Sequence, residues 1–177
     1  MKKSALLLIA LVAAAPALAQ ETKSAPVSGM VETMRPNFNY VQEMITRSAE
    51  QLPEADYAFK PTPEVRSFGQ LLGHIADANY MICSAILGEA SPSTDVEKSK
   101  TAKADLIAAL KSSYEYCGRG YALPDADTAK TFQLFGKERT RLSGLLLNIS
   151  HNWEHYGNIV TYLRLKGQVP PSSQRSE

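Results

Sequence analysis

The sequence predicts an all-α four-helix bundle. Three observations carry that reading. Four segments repeat apolar residues at helical spacing, polar and proline-containing connections join them, and no stretch of useful length alternates as a strand does. The bundle is assigned to residues 30–177, behind an N-terminal segment of a different kind.

That segment reads MKKSALLLIALVAAAPALAQ. Lys2 and Lys3 give a basic start, Ala5 to Ala15 is apolar, Pro16 breaks the run, and Ala17-Leu18-Ala19 fits a small-residue cleavage site. The apolar run is too short to span a bilayer, so residues 1–19 are expected to be a secretory signal peptide rather than an uncleaved membrane anchor. Removing them from the 177-residue chain leaves 158 residues, with 17 basic and 18 acidic groups. Residues 20–29 are small and polar and read as a flexible tether. The expected location is periplasmic or secreted, with no membrane attachment after cleavage. A near-neutral chain without a basic run gives no electrostatic case for nucleic acid.

The first helix carries Met34, Phe38, Val41, Ile45 and Leu52 on its apolar stripe. Pro36 is expected in its first turn or at a bend, and Pro53 ends it. A loop rich in proline and aromatic residues follows. The second helix starts at Ser67, where Ser67 and Gln70 form an S-x-x-Q capping box. Its stripe is Phe68, Leu71, Ile75, Ala78, Ile82 and Ile86, and Gly88 is its stop. A polar connection, EASPSTDVEKSKT, leads to a third helix from about Ala102 to Cys117 with Leu106, Leu110, Tyr114 and Cys117 on one stripe. After a second long connection, the fourth helix runs from about Lys137 to Leu165. Leu145, Ile149, Tyr156, Val160 and Leu163 line its core side, and Gly167 with Pro170-Pro171 prevents continuation.

The chain has three histidines. His151 and His155 are four apart on the fourth helix, so they lie one turn apart on the same side and can share one ion. His74 lies on the flank of the second helix's stripe. Flank residues of neighbouring helices can meet at the edge of a bundle core, where three neutral imidazoles would converge with a coordination position to spare. Asp77, three residues after His74, is a candidate to orient that imidazole or to act as a base, although a solvated helix carboxylate is the plainer reading. Asn148, Asn158 and Tyr162 share the flank of His151 and His155 and are candidate supporting or substrate-contacting groups. Trp153 and Tyr156 read as core, Glu154 as solvent-facing, and Arg164 as a cap on the last carbonyls of its helix.

Two blocks carry a resemblance. YAFKPTPEVRSFGQLLGHIADAN, residues 57–79, and HNWEHYGNIVTYLRLKGQVPP, residues 151–171, resemble the first-histidine and closing blocks of the DinB-like (YfiT-like) metalloenzyme family. The intervening FQLFGKERTRLSGLLLNISHN is similar as well. The resemblance covers nearly all of the mature chain. It implies a metal triad at His74, His151 and His155, with a divalent metal as cofactor, zinc foremost and nickel or another transition metal as alternatives. It also implies up-down-down-up topology, with the second and third helices parallel and a long crossover between them. The sequence permits this. The crossover must run back along a helix of roughly 25–30 Å, and the connection from Glu89 to Thr101 could reach roughly 40 Å extended. In the parallel layout Cys83 and Cys117 both lie near the C-terminal ends of their helices; a disulfide and two buried free thiols both remain open.

Three neutral ligands leave an ion's charge uncompensated, which suits activation of water or of a thiol. The expected function is therefore that of an exported metal-dependent enzyme acting on a small-molecule substrate by thiol transfer or hydrolysis. The alternative is a non-catalytic metal- or ligand-binding module, and a homodimer is left open. Known enzymes of the resembling family are cytoplasmic thiol-dependent transferases and an isomerase. An exported chain departs from that setting, so the resemblance implies the metal site more directly than it implies thiol transfer.

Overall fold

The computed structural model describes residues 29–174, Thr94 excepted. The segment read as a signal peptide, residues 1–19, and nearly all of the expected tether lie outside the described residues. The described chain is mostly helical. Helices α1 (Met30–Gln51), α2 (Phe68–Leu87), α4 (Lys103–Gly118) and α5 (Arg141–Leu165) are long, α3 (Val96–Ser99) is a single turn, and strands β1 (Thr131–Leu134) and β2 (Lys137–Thr140) form an antiparallel hairpin.

Local chemistry sets the helix ends. Ser67 Oγ accepts from Gln70 N while Gln70 Oε1 accepts from Ser67 N, the reciprocal box read from the sequence. Gly88 at φ 76° and Gly167 at φ 71° close α2 and α5 in the left-handed region, where a side chain would be strained. Asp125 caps α1 from across the fold: its carboxylate accepts from Gly29 N and Val31 N. That remote cap starts α1 at Met30, ahead of the first stripe residue, so Pro36 falls inside the helix rather than in its first turn.

The apolar stripes point inward as expected. Phe38, Val41, Ile45, Phe68, Leu71, Ile75, Ile82, Ile86, Leu106, Leu110, Tyr114, Leu145 and Leu163 belong to one continuous core. Helix directions follow from cross-helix contacts. On α2 and α4, Asn79 donates to Ser113 Oγ at 3.1 Å and Cys83 is disulfide-bonded to Cys117, so these helices run the same way, side by side. On α5, Asn148 and Asn152 meet Asn79 while Tyr162 reaches back to Arg66, so α5 opposes α2. The two cysteines, which the sequence left as either a pair or two thiols, form the disulfide, with Cα atoms 5.2 Å apart.

Two expectations are corrected. Lys137 to Thr140, expected as the start of the last helix, is β2; α5 begins at Arg141, with Thr140 Oγ1 accepting from Ser143 N. The hairpin turns at Phe135 and Gly136, both at positive φ (54° and 69°), the geometry of a tight two-residue connection. Four-residue strands are too short to show alternation. The connection after α2 is likewise not featureless: its one branched aliphatic residue, Val96, is buried and anchors α3. Among the described residues no helix is long and apolar enough to cross a membrane.

Candidate metal centre

Spacing on α5 and the opposed run of α2 bring the three histidines together. His151 and His155 project from successive turns of α5, and their Nε2 atoms are 3.0 Å apart. The His74 ring centroid lies 5.2 Å from that of His151 and 4.8 Å from that of His155. One ring nitrogen from each residue falls in a group within 4.8 Å of one another. His155 is buried, while His74 and His151 are half-buried.

The electrostatics suit a cation held by neutral ligands. Burial first, and then the neighbouring His74, pull His151 down to about 4. Burial, followed by His151 and His74, pulls His155 to about 3. His74 is also lowered, by burial and by the Arg66 guanidinium. All three rings are therefore neutral near pH 7, with a lone pair available on each. The His151 Nδ1 atom is buried with no hydrogen-bond partner among the described residues. Three convergent neutral imidazoles are a donor set that fits a divalent transition metal such as zinc.

The supporting candidates divide. Asn158 Nδ2 lies 3.4 Å from His155 Nδ1, beside the group. Tyr162 donates its phenol to Arg66 O at 2.6 Å and forms part of the wall of the adjoining pocket. Asn148 faces elsewhere: it donates to Asn79 Oδ1 and accepts from Tyr121 in a buried polar network with Asn152, Tyr114 and Ser113. Asp77 does not touch His74 as an orienting group would. Its two oxygens accept from the amides of Val96 and Glu97, at 2.8 and 2.9 Å, and so hold α3 against α2. Trp153 donates to Asn37 Oδ1, Tyr156 is buried, and Glu154 and Arg164 are exposed.

Two residues at the site escaped the sequence reading. Glu97 Oε2 stands 3.4 Å from His74 Nδ1, and Glu97 Oε1 accepts from Arg66 Nε at 3.0 Å. The available signal was Val96, the one branched aliphatic residue in a polar run, with a carboxylate next to it.

A cavity of about 720 Å³ opens beside the histidines. His155, Asn158 and Tyr162 line it, together with Lys60, Arg66 and Glu97.

Comparison with known proteins agrees with this architecture. The profile of the DinB superfamily matches residues 37–159. A DinB-like protein from Bacillus cereus ATCC 10987 superposes with a TM-score of 0.69 at 18% identity, over 79% of this chain and 95% of that one. A DinB-like protein from Bacillus subtilis, YjoA, superposes with a TM-score of 0.63 at 25% identity, over 83% of this chain and 99% of that one. No curated protein matches the chain. The family profile spans well over half of the sequence, and the chain belongs to the DinB superfamily.

Proposed function

We propose that this protein is an exported metal-dependent enzyme that acts on a small molecule by thiol transfer or hydrolysis, with His74, His151 and His155 holding a divalent ion, zinc foremost. The observation that carries this reading is the cavity of about 720 Å³ reaching His155 directly, so that a small molecule can approach the histidine group. A structural zinc site is normally closed by four protein ligands. Among the described residues the convergent group consists of three histidines with no cysteine or carboxylate joining them. That favours an open site over the rival reading, a non-catalytic metal- or ligand-binding module.

The chemistry a bound ion supplies here is Lewis-acid activation of water or of a thiol. The protein's own residues do the rest. Burial keeps His151 and His155 unprotonated. Asn158 lies against the far nitrogen of His155 and restrains its ring. Lys60 and Arg66 place positive charge on the cavity wall, while Glu64 and Glu97 keep that wall from being uniformly cationic. Tyr162 and Leu71 add apolar surface to the same cavity.

We also propose that α1, α2, α4 and α5 constitute a four-helix bundle of up-down-down-up topology, with residues 89–101 as the crossover. The shared direction of α2 and α4 supports it. Export and removal of residues 1–19 are supported by the composition of that segment and by the Cys83–Cys117 disulfide, which suits an oxidising compartment. The test is metal analysis of protein purified from the exported fraction, followed by a screen of thiol-transfer and hydrolytic substrates with and without chelator. Stoichiometric metal and a chelator-sensitive activity are expected. Protein that binds no divalent ion on titration overturns the proposal.

A further inference from the structure

We propose that Glu97 is the positioning residue of the histidine group, holding the His74 ring through Nδ1 so that Nε2 is the nitrogen His74 offers to the site. The backbone of Glu97 is tied to the same turn of α2 that carries His74. Gly73 precedes His74, and a Cβ there would stand 2.6 Å from Glu97 Cα and 2.9 Å from Glu97 N. Only the missing side chain lets α3 come so close. Asp77, on the next turn, accepts from Val96 N and Glu97 N. Val96, 2% exposed, seals α3 into the core.

The Glu97 side chain is then held at one oxygen and turns the other toward the imidazole. Arg66 Nε donates to Oε1 at 3.0 Å, which leaves Oε2 at 3.4 Å from His74 Nδ1. A carboxylate only accepts, so its place beside Nδ1 favours the tautomer with the hydrogen on Nδ1. In a neutral imidazole the other nitrogen then presents its lone pair. Asp77, next to the histidine in sequence, thus acts at one remove: it holds the short helix that delivers the carboxylate. In the rival account Glu97 merely pairs with Arg66 on the surface and leaves the imidazole alone.

The inference rests on the three-histidine reading for its purpose, but its first test needs no metal. The His74 tautomer is read from imidazole ¹⁵N shifts in metal-free wild type, Glu97→Ala, Glu97→Gln and Arg66→Ala. Zinc affinity is read on the same proteins by competition with a chromophoric chelator. Wild type is expected in the Nδ1–H tautomer. Glu97→Ala is expected to move toward Nε2–H and to lose about 10–100-fold in zinc affinity, the usual effect of removing a ligand's supporting partner. Glu97→Gln retains an acceptor and is expected to keep the wild-type tautomer, which covers the case where alanine displaces α3. Arg66→Ala should keep it too. A wild type already in the Nε2–H form, or a Glu97→Ala protein with unchanged tautomer, overturns the proposal. A wild type that shows the predicted tautomers but takes up no zinc sinks the metal reading while leaving the positioning role intact.

Discussion

Gly73 lies so close to Glu97 that a Cβ would meet the Glu97 Cα at 2.6 Å, and it does so one residue before His74. The contact is with backbone, which cannot swing aside as a flexible side chain would. Alanine in mid-helix is ordinarily better than glycine by roughly 1 kcal/mol. Here the clash forces α2 and α3 apart, which costs on the order of 1–3 kcal/mol as overpacking does elsewhere. Gly73→Ala is therefore expected to be net destabilising, with amide exchange speeding up first at residues 95–100. Denaturant titration and hydrogen exchange check this; a variant more stable than wild type, with α3 still protected, would refute it.

The buried network predicts a second loss. Asn79 donates to Ser113 and accepts from both Asn148 and Asn152, and Asn152 in turn accepts from Tyr114. Asn79→Ala leaves the buried Asn148 amide without its acceptor and takes one of two acceptors from Asn152, which keeps the Asn148 carbonyl. At about 1–3 kcal/mol for the group left unpaired, a destabilisation of about 2 kcal/mol is expected from equilibrium unfolding. A loss under about 1 kcal/mol would mean the network is already hydrated.

Much of this arrangement was legible in the sequence. The apolar stripes, the Ser67–Gln70 box and the stops at Gly88 and Gly167 are local devices, written in consecutive residues. The histidine pair was legible for the same reason, being set by helical repeat, and His74 by its place on a flank. What escaped reading depends on remote partners. Asp125 caps α1 from nearly a hundred residues away. Asn148 shares the flank of the histidines by spacing, yet a core of other polar side chains captures it. Asp77 and Glu97 exchange the roles that sequence proximity to His74 would give them, because α3 folds back onto α2 through a contact that only Gly73 permits.

The disulfide sets a third expectation. Cys83 and Cys117 are separated by 34 positions. Loop-closure entropy for a ring of that size is worth about 3–4 kcal/mol to the folded state. The Cys83→Ala/Cys117→Ala double variant should unfold at correspondingly lower denaturant concentration, and reductant should shift wild type toward it. Identical midpoints for wild type with and without reductant would show that the bond does not form in solution.

Buried phenols set the alkaline limit. Burial raises Tyr57, Tyr114 and Tyr121 above the ordinary tyrosine range, and each donates its hydroxyl to an internal acceptor. In the unfolded chain these groups ionise near pH 10. Above that pH the unfolded state releases protons that the folded state keeps, so their contribution is complete below about pH 10 and is lost as pH rises beyond it. Unfolding free energy measured from about pH 8 to pH 11 should fall at the upper end. Tyr121→Phe, which removes one of the phenols, should fall less steeply; equal slopes would remove tyrosine ionisation as the cause.

His151→Ala separates the metal from the fold. Two imidazoles hold an ion far less well than three, so zinc affinity should fall by more than about 100-fold, beyond the effect of losing a supporting residue. The helix has no reason to fail. Alanine is the better helix former, by a few tenths of a kcal/mol, and the core among the described residues does not include His151. The lost ring contacts oppose that gain. In the variant's favour, it removes a buried Nδ1 that has no partner among the described residues, and it frees His155 and His74 from a third close imidazole, a neighbour that already disfavours protonating His155. These terms are each about 1 kcal/mol or less and of mixed sign, so the metal-free variant should match metal-free wild type within about 1 kcal/mol. Adding zinc should raise the midpoint of wild type and leave that of the variant unchanged, because only the wild type binds it tightly in the folded state. Circular dichroism melts of both proteins, with and without zinc, give all four values. An unfolded variant would mark the histidine cluster as a structural staple. A variant stabilised by zinc as strongly as wild type would show that His151 is not a ligand.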